Sequence, residues 1–212
     1  MSSRIAGRAA AIPRAPARIR AVAIMAGVGI VTGLISSLGS PLPDISLQDP
    51  NVIINAAGVP LHAGIVFGAA LAVMLWLWVS RDLGHCLLAM AFTILGWLAA
   101  VNTADEVIAA VMSSDLFGSA EGAKASREVV GWVLGGLVSG GIGAGLTTFG
   151  IGIAASAIRR PEAWALIVVL GGALGLLLAP AAHWDLIALL FVPWQAAIAA
   201  AIAYVLTRHP AG

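Results

Sequence analysis

The sequence predicts an all-α membrane protein, a bundle of about six transmembrane helices with both termini cytoplasmic. Three observations carry that expectation. The 212 residues are 60% hydrophobic and only 10% charged, against roughly 45–50% apolar and about 25% charged in soluble domains. Uncharged apolar stretches long enough to cross a hydrocarbon core of about 30 Å recur along the chain. The arginines between those stretches fall almost entirely on one side, as cytoplasmic retention of positive charge requires. Composition also excludes other classes. Disorder needs low hydrophobicity and many charges, and a disulfide scaffold needs more than the lone Cys86. A formal charge of +1, from 11 Lys+Arg against 10 Asp+Glu, offers no basic surface for nucleic acid.

Residues 1–20 read as a basic cytoplasmic tail. They hold no acidic side chain, and Arg4, Arg8, Arg14 and Arg18 recur at helical spacing, which suits contact with anionic headgroups. A cleavable signal ending at Gly39 or Ser40 and an organellar transit peptide are the alternatives. The strong excess of arginine over lysine, with abundant Ala and Gly, favours a bacterial inner or plasma membrane over an organellar inner membrane.

The transmembrane domain covers residues 21–207, with spans at about 21–38, 60–80, 86–103, 129–158, 163–182 and 186–207, and 208–212 form a short cytoplasmic tail. Prolines at 41 and 43 stop the first span. Pro60 opens the second, at a position where its missing N–H is not needed. After the third, Val107, Ile108, Val111 and Met112 make a short apolar stripe, expected to lie in the outer interface beside Asp105, Glu106 and Asp115. The fourth is too long for one perpendicular crossing, so it must tilt or carry its 154–158 end into water. Six crossings put Arg4, Arg8, Arg14, Arg18, Arg20, Arg81, Arg159, Arg160 and Arg208 together inside, and leave the outer face acidic.

Interfacial aromatics agree with this placement. Trp76, Trp78, Trp164 and Tyr204 fall at inner ends and Trp132 and Trp184 at outer ends. Trp97 and Trp194 do not fit the belt. At 1.5 Å per residue they sit about 10 Å below the outer surface.

The fourth span is crowded with glycine. Gly131 with Gly135, Gly136 with Gly140, and Gly141 with Gly145 are spaced four apart, which lets helix backbones approach closely. Packing within one chain is the plain reading. Alternatives are a homo-oligomer or a membrane-complex partner bound through this helix, or a mobile gating helix.

Ionisable residues within spans are the usual functional markers, and here they are nearly absent. A retinal protein needs an intramembrane lysine, a voltage sensor a run of arginines, and a carboxylate-relay proton pump buried acids. No recognisable catalytic triad or nucleophile elbow occurs, so no catalytic residue is expected. His62, Asn102, Asp105, Glu106, His183 and Asp185 cluster toward the outer ends of spans, and Gln195 lies inside the sixth beside Trp194, two residues after the kinking Pro193. Together with Trp97 they would line an outward vestibule whose carboxylates attract cations. The plainer reading is that these groups cap helices and bond to loops.

The vestibule implies a small transporter or channel-like subunit handling a small polar or cationic solute from the outer side. The alternatives are a non-catalytic structural or assembly subunit, and a haem-binding or enzymatic membrane protein. For haem, His62 with His183 and His85 with His209 would be axial ligands. For zinc, the two outer histidines would need Asp185 with Asp105 or Glu106. No cofactor follows from the spacing, since no His-Glu-x-x-His pattern occurs.

Overall fold

The computed structural model describes residues 18–38, 61–114 and 121–208. Most of the basic tail, the long loop expected between the first two spans, residues 115–120 and His209 lie outside the described residues. Those described are helical, with no strand among them: α1 (Arg18–Ser37), α2 (His62–Trp78), α3 (Leu83–Met112), α4 (Glu121–Ala154), a 3-10 turn at Ser156–Arg159, α5 (Pro161–Gly175), α6 (Leu178–His183) and α7 (Ala188–Arg208). Five segments are long and apolar enough to cross a membrane, α5 and α6 counting as one. The remaining apolar helix, α2, has 17 residues, about 26 Å at the α-helical rise.

Two spans differ from the sequence expectation. α3 does not stop at Thr103 but runs unbroken through Val107, Ile108, Val111 and Met112, so this stripe forms no separate interfacial helix. Nothing between residues 103 and 107 breaks a helix, and Ile108 finds a partner: it lies against Gly131 and Gly135 of α4. α4 likewise begins at Glu121, not near 129. Its excess length over a single crossing is therefore at the end packed on α3, while its other end stops at Ala154 and turns through Ser156–Arg159.

The helices close a ring in which α1 packs on α2, α2 on α3, α3 on α4, α4 on α5, α5 on α7 and α7 on α1. Local chemistry explains the joints. Asp82 caps α3, its carboxylate accepting from His85 N–H at 3.2 Å. Pro161 occupies the first turn of α5. Pro180 cannot donate to the Leu176 carbonyl, and the chain tightens there into i→i−3 bonds, Leu177 N–H to Leu174 and Ala179 N–H to Leu176. α6 ends in a Schellman arrangement, Leu186 N–H bonding the Ala181 carbonyl at 2.9 Å with Asp185 at φ +50°.

The bundle has two unlike ends. One, the arginine end, holds the start of α1 and the end of α7, where Arg18 and Arg208 lie over the Tyr204 ring at 5.7 and 6.0 Å; Arg81 lies over Trp76 at 5.6 Å. This half is solid. Met25, Leu71, Leu75, Ile151, Ile158, Ile167, Ile198 and Ile202 are fully buried there in one cluster. Ile30, Val31 and Leu34 of α1, Val73 of α2, Leu95 of α3, Phe149 of α4 and Val169 of α5 are exposed instead. An apolar outer surface around an apolar core is the signature of an integral membrane protein, because lipid is as apolar as the interior.

Candidate functional site: a one-sided vestibule

Small residues set how closely the helices approach, and so where space is left. On α4, Gly136 and Gly140 face Gly175 and Gly171 of α5 so closely that a Cβ on any of the four would strike backbone or side-chain atoms of the opposite helix. Gly131 and Gly135 turn the other way, to Ile108 and Ala104 of α3. Gly141 and Gly145 make only loose contact, with Val168 at 3.9 and 3.8 Å. The glycine row thus serves two contacts within one chain. A third close pair joins α1 to α7, where Gly29 lies on Ala196 and Gly33 on Val192 and Phe191. Gly29–Gly33 and Gly171–Gly175 carry the same four-residue spacing as the α4 pairs, the signal by which sequence reasoning had access to them.

At the acidic end the ring does not fill. A cavity of about 460 Å³ lies on the axis, and every helix contributes to its wall. Asp105 and Trp132 stand at the mouth, and Trp97, Phe191 and Trp194 form the aromatic wall. Thr93, in the first half of α3, and Thr147, in the last quarter of α4, mark the floor. Below it the Phe67 ring meets Trp194 edge-on at 6.0 Å, and the solid cluster begins. Trp194 is fixed by an indole N–H bond to the Gly171 carbonyl at 3.1 Å. Trp97 packs edge-on against Phe191, with ring centroids 4.7 Å apart, and its Cβ lies over Gly64, where α2 carries no side chain.

The wall is mainly apolar, interrupted by hydroxyls that are already engaged. Ser36 donates to the Thr32 carbonyl at 2.7 Å, Thr93 to Ala89 at 2.8 Å and Ser139 to Gly136 at 3.3 Å. Such back-bonding satisfies a hydroxyl inside lipid. Among the described residues Asp105 is the charged residue of the lining, and no Lys, Arg or His of theirs is part of it.

The residues singled out in sequence are divided by this geometry. Trp97, Trp194 and Asp105 come together in the wall and mouth. Gln195 does not line the cavity. It is fully buried behind it, its amide donating to Ser36 Oγ at 3.0 Å while its Oε1 has no hydrogen-bond partner among the described residues. Asn102 bonds the Leu98 carbonyl of its own helix at 2.7 Å. Glu106 is exposed beside the mouth. His183 is exposed, its ring near Trp184 at 6.0 Å, and Asp185 shapes the turn before α7. His62 is buried at the start of α2 with both ring nitrogens unpartnered among the described residues. Among these residues no three His, Cys, Asp or Glu side chains converge as metal ligands would. Sequence reasoning missed Phe191, Ser36, Ser139 and Thr147, whose types are ordinary in membrane helices.

No family model matches the chain, and no curated protein or solved structure does so significantly.

Proposed function

We propose that the chain is a small membrane transporter subunit that receives its solute from the outer side. It would cross the membrane six times with both termini cytoplasmic, placing the arginine end inside and the Asp105 end outside, in a bacterial inner or plasma membrane. One observation carries the reading: a ligand-sized cavity, walled by all the helices of the ring, runs in from the Asp105 end to Thr93 and Thr147 and stops on a packed apolar core. Its volume falls within the roughly 300–1,000 Å³ of small-molecule sites.

The solid half argues against a continuously open pore, which needs an aqueous path from end to end. A site buried inside the bundle and open on one side fits a carrier held in one of its two access states. The assembly-subunit reading relied on the glycine row as an external contact surface. Gly136 and Gly140 are instead occupied by α5, which favours the transporter.

Single cysteines at Ser37 in the mouth and Ser139 in the wall, in a Cys86→Ala background, test this with a membrane-impermeant thiol reagent. Both react from outside intact cells. In a carrier, Ser139→Cys also reacts in inverted vesicles, since the cavity must open to each side in turn. Reaction at neither position overturns the vestibule, and reaction from outside only overturns transport.

A further inference from the structure

We propose that the vestibule selects an organic cation with an apolar body, an alkyl- or arylammonium. Its charged head would sit at Asp105 and Trp132 and its body against Trp97, Phe191 and Trp194. The inference rests on the reading of the cavity as a solute vestibule and adds the chemical class of the solute.

Three solute classes can be weighed against the wall. A metal cation asks for about six or more oxygen ligands. The lining offers one carboxylate and a few hydroxyls, and those of Ser36, Thr93 and Ser139 are turned to their own backbones. A polar neutral solute such as a sugar would lose water bonds to a wall that replaces few of them, because Trp194 already spends its N–H on Gly171 and the Trp97 N–H is buried, with no partner among the described residues. An anion meets a carboxylate and, among the described residues, no positive side chain in the lining.

An ammonium with hydrocarbon substituents fits each feature. It is weakly hydrated, its body is at home among aromatic rings, and indole faces attract cations. Asp105 is available to it: it is exposed, and among the described residues it forms no ion pair. Glu106 adds a second negative charge beside the mouth, while Arg127 of α4 bonds the Ser114 carbonyl and is not part of the lining.

The test compares benzyltrimethylammonium with neopentylbenzene, which has the same shape with carbon in place of the charged nitrogen. Binding to the purified full chain in micelles is followed by calorimetry and tryptophan fluorescence. The cation binds at least about ten-fold tighter than the neutral probe, within the range of a partly desolvated cation–π site. Asp105→Asn weakens the cation about ten-fold and leaves neopentylbenzene unchanged, while Glu106→Gln, outside the lining, shifts neither by more than about two-fold. Equal binding of the two probes, or an equal loss of both in Asp105→Asn, overturns the cation class. So does binding of neither probe by a protein whose Ser37→Cys and Ser139→Cys forms react from outside, a result that leaves the vestibule standing. Failure of that labelling removes the vestibule itself and the solute class with it.

Discussion

Two neighbouring glycines of α4 should respond to the same substitution with opposite sign. A Cβ placed on Gly140 collides with the Gly171 carbonyl oxygen and comes within 2.9 Å of Gly175 Cα. Unstrained carbon pairs prefer about 3.5–4.0 Å, so α4 and α5 must part by about 0.6 Å or more. Both obstacles are backbone atoms of a helix and cannot rotate aside. A gap of that size forfeits about a quarter to a half of each facing contact, and overpacking of this kind costs typically about 1–3 kcal/mol. In lipid, packing is the main force between helices, so little else compensates. Gly141, one residue on, faces only Val168 at 3.9 Å. Alanine fits there and gains up to about 1 kcal/mol of helix propensity. Gly140→Ala therefore destabilises and Gly141→Ala is neutral to stabilising, a difference of about 1–4 kcal/mol between adjacent positions. Reversible unfolding of the purified protein in mixed detergent micelles, followed by tryptophan fluorescence, measures it. Equal stability of the two variants, or loss at Gly141 alone, would refute the assigned contact between α4 and α5.

Larger side chains should widen the contrast: Gly136→Leu or Gly140→Leu disrupts the fold, whereas Gly27→Leu, with no heavy atom within 4 Å of its Cβ position, leaves the unfolding midpoint nearly unchanged. Gln195→Met should be neutral or stabilising by about 1 kcal/mol, because it removes a buried unpaired acceptor while Ser36 keeps its bond to Thr32; a marked loss of stability would contradict the unpartnered state of Oε1. Asp185→Gly should raise thermal stability by about 1 kcal/mol, since φ +50° strains a residue with a Cβ, and a lowered midpoint would give Asp185 a favourable interaction beyond its turn. Cysteines at Ser46 and Ser119, outside the described residues, should label from outside intact cells and one at Arg160 should not; outside labelling of Arg160→Cys would invert the proposed orientation.

The sequence by itself determined what the solvent of this protein is. Helical apolar stretches, prolines at joints and one-sided arginines are local features, and the bilayer's demand for internally satisfied backbone makes them sufficient to specify helices. That Trp97 and Trp194 lie inside their helices and away from the ends was likewise legible, because position follows from counting along one helix. Only the tertiary structure decided which faces meet. In water, a helix announces its buried face by polarity; in lipid, the outward Val31 and Val169 are as apolar as the inward Met25 and Ile167, so periodicity carries no such signal. Hence the spacing of the glycines was visible, but not that Gly136 and Gly140 belong to α5 while Gly131 and Gly135 belong to α3. Hence also Asp105 came to the cavity and Gln195 to the space behind it, bonded to a serine of α1. The rotation of each helix about its own axis, fixed by glycine-to-backbone contact across helices distant in sequence, made that choice.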